Sequence, residues 1–323
     1  MTIFKKLDPL LDQIQQELQR SIKPDYPQSI KDPIVYFLET PGKKIRPLLT
    51  LLCAEAVGGK TNDAFSAAVG IELFHDFTLM HDDIMDRDDM RRGRFTVHKK
   101  WGEDSAILVG DMMIGMAYEK MLACDAQYIP SVLPLFNEAL IKVCEGQALD
   151  KEFEIRENVS LDDYLDMISK KTAWLFKLSC EIGAVLGGGS AEEVETMRQF
   201  GNLLGIGFQI QDDLLDYIGE EKTLGKKVGS DLKMHKKTYV TLLYSQKVGQ
   251  QSDKANNYPA TISQFSSLPA LNKALFELGI VDETKKLVDD YVRGALRLLE
   301  RIQPLTDSNN LYQMVLALQK RDY

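Results

Sequence analysis

The chain has 323 residues, of which 44% are hydrophobic and 27% are charged, so it can build a substantial core. Its formal net charge of −9 argues against a nucleic-acid backbone as the main partner. Four scattered cysteines without a Cys-x-x-Cys pair argue against a structural zinc site or a disulfide framework. We expect them to be buried, reduced thiols of a cytoplasmic protein: Cys53, Cys124, Cys144 and Cys180. The sequence shows no signal-peptide pattern and no uncharged run of membrane-spanning length.

Helical periodicity dominates the sequence, and alternating strand patterns are nearly absent. An amphipathic first helix is predicted from the spacing of its apolar residues, Leu7, Leu10, Leu11, Ile14 and Leu18. Prolines and a glycine then interrupt the pattern up to residue 42. Further helices are predicted over 44–57, 64–87, 103–124, 130–155, 161–186, 191–219 and 236–248. A polar surface loop at 249–260 and two or three more helices follow, the last opened by Pro304, Asp307 and Ser308. We therefore predict one all-α domain over residues 1–323, built as an antiparallel helical bundle.

One acidic pattern, Asp-Asp-x-x-Asp, occurs at residues 82–86 and again at 212–216, each time where a long apolar segment ends. On a helix the first and last aspartates of each copy share a face, and their repulsion destabilises an isolated helix by roughly 0.2–0.5 kcal/mol. The repetition of this unfavourable arrangement indicates that bound cations offset it. Carboxylates without thiolates favour Mg²⁺ or Mn²⁺, and Mg²⁺ usually takes one or two carboxylates together with substrate phosphates. The two motifs therefore predict a metal site that binds diphosphate.

Basic segments accompany the acidic motifs, at residues 42–47, 91–94 and 225–227 with 236–237. Arginine can bind a phosphate through two parallel hydrogen bonds, and lysine acts as a point charge. Each basic segment alone is more often a solvated turn, and a single acidic motif is more often a solvated helix end. Both kinds of segment together predict several bound phosphate groups.

This set of motifs resembles that of the trans-isoprenyl diphosphate synthases, the polyprenyl synthetase family, from about residue 41 to residue 239. The resemblance implies an all-helical fold around a deep apolar cavity, with the two aspartate motifs facing each other at its mouth, in a homodimer. It implies Mg²⁺-dependent head-to-tail condensation of isopentenyl diphosphate with an allylic diphosphate (dimethylallyl, geranyl or farnesyl diphosphate), which releases diphosphate.

The resemblance also implies roles for individual residues. Three Mg²⁺ ions, which Mn²⁺ could replace, would be bound by Asp82, Asp83, Asp86, Asp150, Asp212, Asp213 and Asp216. The allylic diphosphate would contact Arg91, Lys171, Lys226 and Lys236. Isopentenyl diphosphate would contact Gly42, Lys43, Arg46, His75 and Arg92. Lys171, Thr172 and Gln209 would act in catalysis, the last two by placing oxygen dipoles near the developing allylic cation.

The other residues of the chain agree with this chemistry. Ionising an allylic C–O bond requires cations on the diphosphate leaving group, which metal ions and fixed charges supply. The double bond of isopentenyl diphosphate then traps the carbocation, so no protein nucleophile is needed. The chain has only four histidines and no nucleophile–base constellation. Apolar helices around the site would exclude water from the cation.

Three other functions compete with this one. A class I terpene cyclase normally mixes Asn, Ser or Thr with Glu in its second metal motif, and it needs no second diphosphate pocket such as residues 42–46 would form. A non-catalytic subunit of a heteromeric synthase usually lacks one aspartate motif, and here both are complete. A di-metal carboxylate bundle requires a Glu-x-x-His motif on each of two helices, and the sequence contains only one such spacing, at residues 72–75. The elongating prenyltransferase is favoured over all three.

Product length is predicted from the helix that precedes the first motif. Phe74 and Phe77 share a helix face roughly 7–12 Å before Asp82, at about 1.5 Å per residue. Both rings could be ordinary core packing, but short-chain members of the family have an aromatic residue at the Phe77 position. Thr78, together with the absence of a two-residue insertion in the first motif, favours a C20 product over C15. The predicted product is therefore geranylgeranyl diphosphate.

Two residues depart from the pattern of the family. His235 stands where many relatives have glycine, and Asp76 occupies a position that is more often small or neutral.

Overall fold

A computed structural model of the chain describes residues 3–40, 42–219, 229, 232, 234, 236–251, 262, 265 and 267–320. These residues are mostly helical, which confirms the predicted all-α class. The chain divides into two compact units. Unit 1 comprises Met1–Asn137, Leu178–Arg198 and Arg301–Met314. Unit 2 comprises Glu138–Lys177, Gln199–Glu300 and Val315–Tyr323.

The first part of the chain forms helices that alternate with short turns. They are α1 (Ile3–Arg20), α2 (Gln28–Leu38), α3 (Ile45–Ala56), a 3₁₀ turn (Thr61–Ala64), α4 (Phe65–Met85), α5 (Val97–Trp101) and α6 (Glu103–Leu122). The sequence predicts α1, α3, α4 and α6 but neither α2 nor the short α5, because Pro27 and Pro33 indicate breaks in the helical pattern. Pro27 instead caps α2 at its start and Pro33 lies within the helix, where it is buried.

Helices α4 and α6 pack closely along each other in unit 1. Two glycines make this approach possible. A Cβ on Gly70 would lie 3.0 Å from the carbonyl oxygen of Ala117. On Gly110 it would lie within 2.5 Å of two ring atoms of His81. The end of α4 that carries the first aspartate motif is thereby supported by α6.

A two-stranded hairpin follows α4, with β1 at Met90–Arg91 and β2 at Arg94–Phe95. Its turn residues, Arg92 and Gly93, both have positive φ, at 51° and 77°. Left-handed conformations at both positions match the twist of a two-residue hairpin. The sequence prediction treated this segment only as a basic cluster and missed the hairpin.

The second part of the chain contains α7 (Ile129–Ile155), α8 (Leu161–Ile168), α9 (Trp174–Leu186), α10 (Ala191–Ile218), α11 (Tyr239–Gln251), α12 (Leu268–Glu277), α13 (Ile280–Glu300) and α14 (Asn310–Lys320). A π-helical turn, Ser169–Ala173, separates α8 from α9, where one continuous helix was predicted. A loop was predicted at 249–260, but α11 reaches Gln251, so its first three residues are helical; residues 252–260 lie outside the described residues. The last helix also begins later than predicted, because Asn309 Oδ1 accepts a hydrogen bond from the Tyr312 amide at 2.9 Å.

The cysteine prediction was correct for three residues and wrong for one. All four thiols are free; Cys53, Cys124 and Cys180 are buried, but Cys144 is exposed on α7. Among the described helices, none combines the length and the apolar content needed to cross a membrane.

Candidate active site

The first aspartate motif occupies the last turn of α4. The helix ends at Met85, and the amide of Asp86 still donates a helical hydrogen bond to Asp82 O at 2.8 Å. Asp82 and Asp86 are half-buried on one face, as the spacing predicted, while Asp83 is only 1% exposed. One carboxylate of the motif is therefore enclosed by protein, and two lie nearer the surface.

The hairpin supplies the cation that faces the buried carboxylate. Arg91 Nε and Nη2 lie 2.8 and 2.7 Å from Asp83 Oδ1. The other oxygen, Asp83 Oδ2, is buried and has no hydrogen-bond partner among the described residues. Burial raises the pKa of Asp83 to about 6, although Arg91 acts in the opposite direction. An incoming cation would relieve this desolvated charge.

The residues predicted to bind isopentenyl diphosphate converge within unit 1. Arg92 Nη1 lies so close to Gly42 that a Cβ there would be 2.6 Å from it. Arg46 Nη1 donates to His75 Nε2 at 3.0 Å. Burial, and then the positive charge of Arg46 and its basic neighbours, hold the pKa of His75 well below its ordinary value, so the ring is neutral and can accept this bond. Lys43 is exposed at the edge of this group, which we call the basic pocket.

A buried ion cluster beside the basic pocket was missed by the sequence prediction. Lys44 caps α3 in a left-handed conformation, with φ at 48°, and its side chain points inward. Its Nζ lies 2.9 Å from Glu72 Oε1 and 3.8 Å from Asp76 Oδ2. The signal in the sequence was two acidic residues four apart on an otherwise apolar helix segment.

The two phenylalanines proposed to set product length differ in exposure. Phe74 is fully buried and contacts Phe136 edge-on, with ring centroids 5.2 Å apart. Phe77 is half-buried, 5.9 Å from Phe74, and its ring meets that of His81 edge-on at 5.0 Å. Phe74 is therefore a core residue, and Phe77 is the ring that retains an open side.

The second aspartate motif lies in the last turns of α10, within unit 2. Its second carboxylate, Asp213, accepts hydrogen bonds from the Tyr164 hydroxyl, from Gln209 Nε2 at 2.8 Å and from the Tyr239 amide at 3.4 Å. Tyr164 and Tyr239 were not among the predicted site residues. Three donors from α8, α10 and α11 therefore hold this carboxylate in one orientation.

The predicted catalytic residues of unit 2 lie next to one another. Thr172 Oγ1 donates to Gln209 Oε1 at 2.8 Å, which extends the Asp213 network to a third side chain. Lys171 Nζ donates to Asp150 Oδ2 at 2.5 Å, so a predicted phosphate contact and a predicted metal ligand are paired. Lys171 and Thr172 both belong to the π-helical turn, a feature frequent at functional sites.

A glycine of α7 allows the π-helical turn to pack closely against that helix. A Cβ at Gly146 would lie 2.2 Å from the Lys171 backbone nitrogen, so only glycine allows α7 to approach the turn this closely. The close approach brings Asp150, one helical turn after Gly146, to the Lys171 side chain.

The remaining predicted residues of unit 2 lie in three environments. Asp212 is half-buried, Asp216 is buried at 1% exposure, and the Asp216 carbonyl accepts a hydrogen bond from the Gly229 amide at 2.7 Å. Lys236 is half-buried, while the adjacent Lys237 is buried and donates to the carbonyl oxygen of Phe153. Lys226 and His235 lie outside the described residues.

The carboxylates suit Mg²⁺ only if the substrate completes the ligand set. Within the described ranges, no three carboxylate, thiol or imidazole groups converge on one point. Mg²⁺ commonly takes one or two carboxylates and fills the other positions with water and phosphate oxygens. The unpartnered Asp83 Oδ2 and the all-oxygen donor set fit this mode of binding.

Comparison with known proteins agrees with the geometry. The family model described as Polyprenyl synthetase matches residues 27–273. A geranylgeranyl diphosphate synthase of Methanosarcina mazei is 38% identical over 290 residues, covering 89% of this chain and 88% of the relative. A short chain isoprenyl diphosphate synthase of Methanothermobacter thermautotrophicus is 38% identical over 307 residues, covering 94% and 93%. The crystal structure of a geranylgeranyl pyrophosphate synthetase from Pyrococcus horikoshii superposes with a TM-score of 0.89 at 32% identity, covering 98% of each chain.

Proposed function

We propose that this chain, which belongs to the polyprenyl synthetase family and is a trans-prenyltransferase, extends allylic diphosphates with isopentenyl diphosphate to geranylgeranyl diphosphate. The observation that carries the proposal is the basic pocket, where Arg46 contacts His75 and Arg92 approaches Gly42, in addition to the arginine that faces the first aspartate motif. A cyclase with one diphosphate substrate would have no use for such a pocket. Relatives named geranylgeranyl diphosphate synthase support the C20 product.

Metal dependence follows from the family, and we propose specific ligands for it. Three Mg²⁺ ions, when bound, would neutralise the diphosphate leaving group as the allylic C–O bond ionises. Asp83 would offer its unpartnered Oδ2, and the Asp213 network would keep the second motif in a fixed orientation. The proposed ligands are Asp82, Asp83, Asp86, Asp150, Asp212, Asp213 and Asp216.

The other residues would hold substrates and shield charge. Arg46 and neutral His75 would bind the diphosphate of isopentenyl diphosphate, with Arg92 and Lys43 beside them. Lys171, oriented by Asp150, would contact the allylic diphosphate, as would Arg91, Lys226 and Lys236. Thr172 and Gln209, fixed by their mutual hydrogen bond, would direct oxygen dipoles at the developing cation.

We propose that Phe77 limits product length. Its ring contacts Phe74 and His81 and is half-buried, so a growing prenyl tail that reached it would be blocked. Removing the ring should allow at least one more five-carbon unit.

The test is chromatography of dephosphorylated products after incubation with labelled isopentenyl diphosphate, an allylic primer and Mg²⁺. We expect a C20 product from the wild type and a longer one from Phe77→Ala. The matched control, Phe74→Ala, removes a fully buried ring and should lower thermal stability without a defined extension. No chain growth by the wild type would refute the function, a wild-type product beyond C25 would refute the short-chain assignment, and an unchanged product from Phe77→Ala would place the limit elsewhere.

We also propose that the enzyme is a homodimer, as its family resemblance implies, and that residues 1–323 are a single polyprenyl synthetase domain. Light scattering on the purified protein tests the dimer, and a monomer with full activity would contradict it.

A further inference from the structure

In the ion cluster beside the basic pocket, two buried carboxylates face a single lysine, and one oxygen of each carboxylate accepts no hydrogen bond from a described residue. Glu72 and Asp76 lie one turn apart on α4, and their side chains are 5% and 6% exposed. Lys44 makes a close contact with Glu72 but is 3.8 Å from Asp76. Neither Glu72 Oε2 nor Asp76 Oδ2 accepts a hydrogen bond from any described residue. Buried carboxylate oxygens without donors are costly, so the ionised form of Asp76 depends on nearby positive charge.

That positive charge comes from the group proposed to bind substrate. The charged groups that act on Asp76 are Glu72 on its own helix, Lys44 and Arg46 at the start of α3, and Arg92 in the hairpin turn. The adjacent His75 is neutral. Lys44 has the largest favourable effect on ionised Asp76, but it also pairs with Glu72, and Arg92 and Arg46 add to the stabilisation of Asp76. Those two guanidinium groups belong to the basic pocket.

We propose that Asp76 and the diphosphate of isopentenyl diphosphate compete for the same cations, so that Asp76 takes up a proton from solvent when this substrate binds. The inference rests on the proposed function, because it requires isopentenyl diphosphate in the basic pocket. It assigns Asp76 a positioning role: the residue does not touch the substrate but adjusts the field that binds it. No bond other than the O–H bond of the Asp76 carboxyl forms in this step.

The pKa of Asp76 lies in the pH range in which substrate binding could change its protonation. Burial raises the pKa of Asp76 to about 7, against the opposing effect of Lys44. The raised pKa places the titration of this carboxyl within the pH range of an enzyme assay. A diphosphate beside Arg46 and Arg92 screens their attraction and adds negative charge, and both effects raise the pKa of Asp76 further.

The direction of the pH dependence follows from linkage. If binding favours the protonated carboxyl, then protonation favours binding by the same factor. Affinity for isopentenyl diphosphate should weaken as pH rises through the pKa of Asp76, beyond any change due to titration of the substrate itself. Asp76→Asn carries no charge at any pH and should remove this component.

The first experiment compares Michaelis constants of wild type, Asp76→Asn and Asp12→Asn between pH 6 and pH 8.5. Asp12 is an exposed carboxylate on α1 and controls for loss of one negative charge. The ratio of the wild-type constant to that of Asp76→Asn cancels the titration of substrate and buffer. For isopentenyl diphosphate we expect this ratio to rise from near one at pH 6 to about fivefold at pH 8.5. The same ratio for the allylic substrate, and both ratios for Asp12→Asn, should stay flat.

The second experiment measures the proton directly and does not depend on a variant. Isopentenyl diphosphate is titrated into the wild-type enzyme by calorimetry without primer or Mg²⁺, in two buffers of different ionisation enthalpy at pH 7.5. We expect net proton uptake, and Asp76→Asn should show less of it by a substantial fraction of a proton.

The possible results separate this inference from the proposed function. Normal chain growth with a flat wild-type to Asp76→Asn ratio, or binding without Asp76-dependent proton uptake, would overturn the inference and leave the function intact. Failure of the wild type to condense the substrates would overturn both. Should Asp76→Asn not fold, the wild-type calorimetry still decides, because absence of uptake at pH 7.5 contradicts the proposal.

Discussion

In the first aspartate motif the buried second carboxylate, Asp83, faces one arginine and keeps an oxygen without a donor, whereas its counterpart in the second motif, Asp213, accepts three hydrogen bonds. The two motifs have the same sequence pattern. Their surroundings differ because Arg91 comes from a hairpin that follows directly, while Tyr164 and Tyr239 come from α8 and α11. Asp83 is therefore a desolvated charge with a vacant coordination direction, and Asp213 is a fixed acceptor.

This difference separates two ways in which a buried carboxylate can serve a metal site. The energy of Asp83 depends on whether a cation arrives, because burial alone makes its ionised form unfavourable. Asp213 is satisfied by protein donors without a metal, so in addition to its proposed role as a ligand it orients the turn that carries Asp212 and the amide of Gln209. Substitutions that treat the two motifs alike should therefore give unlike results.

The largest effect is expected from removing the first carboxylate of each motif. Asp82→Ala and Asp212→Ala should each lower turnover by about a hundredfold or more, because charge stabilisation of the leaving group is lost. Thermal unfolding without Mg²⁺ should change little, since each substitution removes repulsion from an acidic cluster. Asp12→Ala serves as the surface control. Near-normal turnover in either motif variant would mean that its motif is only a solvated helix end.

The next largest effect should distinguish Arg91, which pairs with Asp83 of the first motif, from Arg46 of the basic pocket by the substrate whose Michaelis constant each affects. Loss of a charge-assisted contact costs about 1.5–3 kcal/mol. Arg91→Ala should raise the Michaelis constant for the allylic substrate by roughly ten- to a hundredfold. Arg46→Ala should act mainly on isopentenyl diphosphate. Steady-state kinetics with each substrate varied in turn would contradict this assignment if both variants affected both substrates equally.

Much of the fold was accessible from the sequence because long apolar periodicities dominate it. The helices that carry both motifs were predicted within a few residues, and the motifs lie at their ends. Helix α2 was missed because prolines can cap a helix or lie within one, and a sequence pattern does not distinguish these from breaks. The π-helical turn was missed because the local sequence of Ser169–Ala173 does not show its close packing against Gly146 on another helix.

The residues of the candidate site could be predicted from the sequence, but the contacts between them could not. Motif spacing placed Asp82 and Asp86 on one face, which the structure confirms. The pairing of Tyr164 with Asp213 joins residues 49 positions apart, and nothing in the local sequence of either one indicates it. The inward turn of Lys44, next to the exposed Lys43, depends on a left-handed backbone and on two acids of another helix. Such contacts depend on how distant segments pack against each other, which the sequence of a single segment does not indicate.

Asp83 and Asp213 should also contribute differently to the free energy of unfolding of the metal-free protein. Folding raises the pKa of Asp83 from its ordinary 3.8 to about 6. The stability that proton binding to Asp83 gives the folded state is therefore full below about pH 4 and is lost as pH rises from about 4 to about 6. Asp83→Asn should therefore be neutral or stabilising at pH 8 relative to the wild type, with the gain shrinking at pH 5. Asp213→Asn should instead cost about 2–3 kcal/mol, because its amide group would meet donors. Denaturant unfolding at both pH values measures this, and equal effects of the two variants would refute the comparison.

The smallest effect should come from removing a single donor to Asp213. Tyr164→Phe preserves the ring in the core but deletes the hydroxyl that Asp213 accepts from, leaving Gln209 and the Tyr239 amide. We expect a loss of about 1.5 kcal/mol in unfolding free energy, because a buried carboxylate loses one of its donors. Turnover should fall by less than in Asp212→Ala, since the metal ligands remain and only their orientation loosens. Tyr118→Phe is the matched control, because it deletes a hydroxyl that donates to Asn137 Oδ1 at 2.9 Å near the surface. If both phenylalanine variants unfold alike, Asp213 is not held by Tyr164, and the contrast between the two motifs reduces to the arginine of the first.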